Sequence, residues 1–75
     1  MKYQSPIDYE IYEGDTVEAV VAELRSGCLA PFANNMEYRR NVKWRFGGVL
    51  DIDPTTDQTF IDSLVAEGIL FALPE

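Results

Sequence analysis

The sequence predicts a small α+β domain in which two helices pack on a short β-sheet. In two stretches the apolar residues recur with the helical period, and each stretch has a capping signal before it and a glycine after it. Between and around these stretches the apolar residues alternate with polar ones or form short continuous runs, as in strands. The 75 residues, 47% of them hydrophobic, predict one domain over 1–75 with a single core.

Residues 7–12 are predicted to form the first strand. Ile7, Tyr9 and Ile11 alternate with neighbours that are mostly acidic, which is the pattern of a strand with one buried face and one exposed face. Gly14 then ends the alternation.

A helix is predicted over residues 15–26. Asp15 and Glu18 have the spacing of a capping box, in which each side chain satisfies a backbone N–H at the start of a helix. Four apolar residues share one stripe: Val17, Val20, Val21 and Leu24. Gly27 is expected to end the helix in the left-handed conformation.

The pattern is weakest in the middle of the chain. The apolar residues 28–30 are interpreted as a short strand that ends at Pro31. Residues 31–41 are interpreted as a loop that contains one helical turn around 36–39.

Residues 42–53 are predicted to form one long strand that bends at Gly47 and Gly48. A hairpin at these glycines would place Trp44 opposite Asp51 and bury an acid beside an indole. A continuous strand instead places the large apolar residues on one side: Val42, Trp44, Phe46, Leu50 and Ile52. Trp44 is therefore expected to be buried.

A second helix is predicted to begin at Thr55, which has capping-box spacing to Gln58, and to end at Gly68. Its apolar stripe consists of Phe60, Ile61, Leu64 and Val65. Residues 69–73 are apolar throughout, as in a strand buried on both faces, and Pro74 ends them.

These elements follow the order βαββαβ, which is that of the ferredoxin-like split βαβ fold. If residues 28–30 form no strand, a three-stranded sheet with two helices remains. A winged helix is a further alternative, with the second helix followed by a wing strand. Its recognition helix would carry Asp57, Asp62 and Glu67 and no base, which would repel phosphate.

The composition excludes several classes of protein. Thirteen acids against six bases give a net charge of −7, which argues against a general nucleic-acid binder. The chain has no histidine, and Cys28 is its only cysteine, so the sequence predicts neither an internal disulfide nor a thiolate metal site. No apolar run reaches about 18 residues, and the first ten residues lack the apolar centre of a signal peptide. A cytoplasmic location is expected.

The acidic stretch that begins at Asp51 was tested for chemistry. Residues 49–55 resemble the first motif of haloacid-dehalogenase-type phosphatases, which implies that Asp51 would be a nucleophile and Asp53 a general acid. No other part of that family's pattern follows, because no base occurs after Arg45. Residues 51–62 also offer oxygen ligands at EF-hand spacing, but they lack the required glycine and the final glutamate. We therefore predict no enzyme, no cofactor and no metal.

Charged residues supply two candidate partner-binding sites. The first is an acidic face on the first strand and helix: Asp8, Glu10, Glu13, Asp15, Glu18 and Glu23. The second is a basic patch that is interleaved with aromatic residues: Arg39, Arg40, Lys43 and Arg45. The acidic face also has an explanation that needs no partner, because acidic side chains promote solubility.

We expect a non-enzymatic regulator or inhibitor that docks on another protein through charged surface. The expected partner has a basic surface, because a dense acidic face would steer the encounter. Small acidic αβ proteins of this kind include phage-encoded blockers of host enzymes. The alternatives are a DNA-mimic inhibitor, a ferredoxin-like dimer that senses a small molecule, and a structural subunit of an assembly. A homodimer is compatible with each of these; nucleic acid and membrane are not expected partners.

Overall fold

The computed structural model describes residues 1–28 and 32–74, which form a small α+β fold of three strands and three helices. In chain order these are β1 (Lys2–Gln4), β2 (Ile11–Glu13), α1 (Val17–Ser26), α2 (Asn35–Phe46), α3 (Asp57–Ala66) and β3 (Phe71–Leu73). No helix in this part of the chain is long and apolar enough to cross a membrane.

The three strands form an antiparallel sheet in the order β2-β1-β3. Tyr3 in the central strand lies opposite Tyr12 on one side and Ala72 on the other. The sheet therefore joins the beginning of the chain to its end. Strand β1 is not among the predicted strands, because its three residues show no alternation long enough to recognise.

The strand predicted over 7–12 is wrong for most of its length, since β2 begins only at Ile11. The preceding residues form the turn of a hairpin, in which Tyr9 N–H donates to the Ser5 carbonyl and Ser5 N–H to the Glu10 carbonyl, both at 3.0 Å. The Asp8 carboxylate accepts from the Glu10 N–H at 3.0 Å, and Tyr9 adopts a positive φ of 60°. A local side-chain contact of this kind competes with strand pairing.

Helix α1 confirms the helix predicted over 15–26, with the same last residue and a later start. The N-cap is Thr16, whose hydroxyl accepts from the Ala19 N–H at 3.2 Å. Gly27 is right-handed, with a φ of −80°, and not left-handed as expected. Val20 and Val21 of the predicted stripe are fully buried. The strand predicted at 28–30 falls largely on residues outside the described part of the chain.

Helix α2 replaces the first part of the strand predicted over 42–53. The Asn34 side chain caps the start of α2 by accepting from the Glu37 N–H at 2.9 Å, and the Gly47 N–H donates to the Lys43 carbonyl at the end of the helix. Because side chains on a helix are 100° apart, Trp44 points away from its neighbours Val42 and Phe46. Trp44 is 83% exposed, so the prediction that it is buried is wrong.

Helix α3 confirms the second predicted helix, with its start shifted by one residue. Thr56 and Thr59 form a reciprocal capping box, with N–H to hydroxyl distances of 3.0 and 3.1 Å. Gly68 follows the helix at a φ of +75°, a conformation that favours glycine. The chain then forms β3, which lies at the sheet edge with Phe71 exposed and is not buried on both faces.

The core lies between the helices. Its buried members come mainly from α1, α3 and the segments beside them: Val20, Val21, Tyr38, Ile52, Phe60, Ile61, Leu64 and Leu70. The Tyr38 ring contacts Phe60 edge-on at 5.8 Å and Phe32 at 5.6 Å, which ties α2 to α3. The central part of α2 contributes no other fully buried side chain.

The order of elements in the described residues is ββαααβ, so the ferredoxin-like βαββαβ order is not confirmed. The three-stranded sheet of the first alternative is present, but it accompanies three helices and not two. The helix and strand on which the winged-helix alternative depended are present as α3 and β3.

Candidate protein-binding surfaces

The six residues of the predicted acidic face are all exposed. Asp8, Glu10 and Glu23 come together around one depression of about 410 Å³, which Tyr12 also lines. Glu13 and Asp15 border a different depression, beside Lys2 and Gly14. The hairpin turn before β2 positions the first group, because it brings Asp8 and Glu10 next to the end of α1.

Glu18 does not belong to either group. It lies in the first turn of α1, and five positions separate it from Glu23, which is about 140° around the helix. Its backbone carbonyl accepts from the Asn35 side chain at 3.0 Å, so this side of α1 faces the start of α2. The six acids therefore form separate groups and no continuous row.

The four residues of the predicted basic patch also point in different directions. Arg39 forms an ion pair with Asp57 and donates to the Pro54 carbonyl at 3.1 Å, so it joins α2 to the start of α3. Lys43 is half-buried near Asp53. The Arg45 guanidinium lies 5.6 Å from the centre of the Phe46 ring. Only Arg40 is on the outer face of α2.

That outer face contains an apolar and aromatic surface that the sequence analysis missed. Met36, Arg40 and Trp44 recur every four residues, so they form one stripe along α2, and all three are exposed. We call these three residues the α2 stripe. A sequence signal for it existed, because Asn34 and Glu37 have the spacing of a helix cap and predict a helix from that point.

Asp51 and Asp53, the residues tested for phosphatase chemistry, lie in the segment that leads into α3. The Asp53 carboxylate accepts from the Thr55 hydroxyl at 2.6 Å and from the Thr55 N–H at 3.0 Å. These hydrogen bonds lower the pKa of Asp53, whereas a general acid at neutral pH needs a raised pKa. The Asp51 N–H donates to the Glu67 carboxylate at 2.8 Å. The Asp53 carboxylate and the Asp51 backbone are thus engaged in local structure.

Within 1–28 and 32–74, no three side chains of the His, Cys, Asp or Glu type come together as a metal site. Cys28 is half-buried, and its Sγ lies 3.8 Å from the Leu24 carbonyl oxygen.

Comparison of this chain with protein-family models, with curated proteins and with solved structures gave no match.

Proposed function

We propose that the protein is a non-enzymatic protein-binding domain that regulates or inhibits a larger partner, and that it docks through the α2 stripe. The observation that supports this most directly is Trp44, which is 83% exposed in the last turns of α2. Tryptophan is the residue most enriched among those that carry the binding energy of protein interfaces. An indole left in solvent gains little for the fold, so we infer that its burial occurs on binding.

The neighbours of Trp44 have the same character. Met36 is exposed one turn before Arg40, and Arg40 one turn before Trp44. Arginine, methionine and aromatic residues are enriched at interfaces relative to the rest of protein surfaces. The helix backbone that carries the three side chains is already ordered, so on binding only the side chains lose conformational entropy.

The charges on α2 indicate the chemistry of the partner. Four of the six bases and one of the thirteen acids lie on α2, which leaves two bases and twelve acids in the rest of the chain. Of these four bases only Arg40 lies on the stripe, so the partner would supply a carboxylate for Arg40 and, beside it, an apolar recess for the indole. Nucleic acid is also anionic, but the twelve acids elsewhere would repel its phosphates.

Affinity capture from a lysate of the source, followed by mass spectrometry, tests this proposal. The bait is the intact chain as wild type, as Trp44→Ala or as Arg40→Gln. Val49→Ala is the matched control, because Val49 is 87% exposed and lies outside the stripe. We expect the wild-type and Val49→Ala baits to retain one partner protein at about 50 mM salt, and both stripe variants to lose it. At about 500 mM salt, wild type should retain this partner more weakly. A partner retained equally by Trp44→Ala would contradict docking through the stripe.

A second candidate surface is the acidic depression lined by Asp8, Glu10 and Glu23. Three carboxylates around one recess suit a lysine or arginine side chain of a basic partner. The test is capture with the variant D8N/E10Q/E23Q, compared with E13Q/D15N/E18Q, which removes the same number of charges elsewhere. A basic protein lost only by the first variant supports this surface, and equal loss from both would indicate a general effect of net charge.

A further inference from the structure

An apolar pocket of about 390 Å³ opens between the three helices. One wall is the inner side of α2, where Tyr38, Val42 and Phe46 recur every four residues. Leu24 of α1 and Leu50 after α2 also line it, with further walls from α3 and from the residues before β3. The pocket therefore lies on the opposite side of α2 from Trp44.

The floor of the pocket is the core itself. Phe60 is fully buried, and Ile52, Leu64 and Leu70 are each at most 5% exposed, yet all four line the pocket. At the mouth of the pocket, by contrast, the side chain of Ile7 is 83% exposed on the turn before β2. The accessible wall between these two levels is supplied by half-buried side chains, among them Leu24, Val42 and Leu50.

The lining defines the chemistry of an occupant. Every described residue that lines the pocket is aliphatic or aromatic, and none carries a charge. A buried ion would therefore find no partner, whereas an apolar group would lose its contact with water at no electrostatic cost. Pockets with predominantly apolar walls and volumes of about 300–1,000 Å³ are typical of small-molecule sites.

The volume sets the size of the occupant. An apolar cavity of about 150 Å³ is sufficient for benzene. The pocket is between two and three times as large, which on the same scale corresponds to an apolar body of roughly fifteen carbons. We infer that this pocket binds a small molecule with an uncharged, apolar body, such as a single aliphatic chain, with any polar end at the mouth.

A series of straight-chain alcohols tests the inference on the wild-type protein. 1-Hexanol, 1-octanol and 1-decanol are titrated while the methyl signals are followed by NMR. We expect saturable shifts at Leu24, Val42 and Leu50, and none at Val49 or Ile11, which lie outside the pocket. Since each added CH₂ is buried, the affinity should increase about fourfold per carbon until the pocket is full. Shifts spread evenly over all methyls, or an affinity independent of chain length, would overturn the inference.

Variants that fill the pocket provide a second test. Val42→Phe introduces a ring into the wall, and Val49→Phe adds the same ring to an exposed position as a control. We expect Val42→Phe to weaken binding of 1-octanol at least about tenfold while Val49→Phe leaves it unchanged. If thermal unfolding shows that Val42→Phe does not fold, Leu24→Phe fills the same space from α1. Full binding of 1-octanol by a folded filled variant would refute the site.

Discussion

Arg39 of α2 is ion-paired with Asp57 in the first turn of α3, and their side chains are only 11% and 17% exposed. The other oxygen of Asp57 accepts from the Asn35 side chain at 3.4 Å, and Asn35 accepts in turn from Arg25 of α1 at 3.0 Å. One polar network thus connects all three helices. It fixes the orientation of α2, and thereby decides that Trp44 faces solvent.

Removal of the Arg39 charge should destabilise the fold. We expect Arg39→Gln to lower the free energy of unfolding by about 2–3 kcal/mol, because it leaves Asp57 mostly buried without its cation. Urea unfolding measures this change. Arg40→Gln is the control, since Arg40 is exposed one position along the same helix, and it should cost less than about 0.5 kcal/mol. An equal cost for both variants would contradict the structural role of the ion pair.

Trp44 should behave as a surface residue in the isolated protein. We expect its fluorescence emission to resemble that of an indole in water, and iodide to quench it efficiently, because 83% of the side chain is exposed. Trp44→Ala should change the free energy of unfolding by no more than about 0.5 kcal/mol. A blue-shifted emission, or a loss of about 3–5 kcal/mol as for a buried aromatic, would instead support a strand over 42–53.

The capping box at Thr56 should stabilise α3. Its hydroxyl accepts from the Thr59 N–H at 3.1 Å, and alanine cannot replace this hydrogen bond. We expect Thr56→Ala to lower the free energy of unfolding by about 1 kcal/mol, measured by thermal or urea denaturation. Thr56→Ser retains the hydroxyl and should recover most of the loss. If serine were as destabilising as alanine, packing of the Thr56 methyl group would be responsible.

The stability of the protein should decrease in alkaline solution, in part because of Tyr38. Burial raises the pKa of its hydroxyl, with smaller contributions from Cys28 and Tyr12. The unfolded chain then loses this proton first, near pH 10. The stabilisation that Tyr38 contributes is complete below that pH. It is lost as the pH rises towards the higher pKa of the folded state, by about 1.4 kcal/mol of unfolding free energy per pH unit.

Tyr38→Phe should reduce this alkaline loss, as measured by urea unfolding at pH 9, 10 and 11. The ring contacts with Phe32 and Phe60 do not depend on the hydroxyl, so the variant should fold. Tyr9→Phe removes a hydroxyl from an exposed side chain and is the control. Its unfolding free energy should fall with pH as steeply as that of wild type. If the unfolding free energy of Tyr38→Phe also falls with pH as steeply as that of wild type, Tyr38 does not titrate differently in the folded state.

The sequence by itself predicted α1 and α3, because the signals for these helices are local. A capping residue and an apolar stripe lie within about a dozen positions, and the helix they specify needs no distant partner to be recognised. The shifts of one residue at Thr16 and Thr56 arose because neighbouring acids and hydroxyls all serve as caps. The acidic residues were likewise identified from sequence, but their separation into groups was not.

Tertiary structure decided α2, and the reason lies in Val42 and Phe46. These residues are four positions apart, so they share a face in a helix and also in a strand. In a strand Trp44 would lie on the same side as these two residues, and in a helix it lies on the opposite side. Which of the two forms depends on whether the segment packs through the polar network or pairs with a sheet. The strand β1 was similarly decided by pairing with β3, which lies within the strand predicted over 69–73. The α2 stripe and the apolar pocket lie on opposite sides of that one helix, so which of its side chains face solvent and which face the core followed only from its orientation.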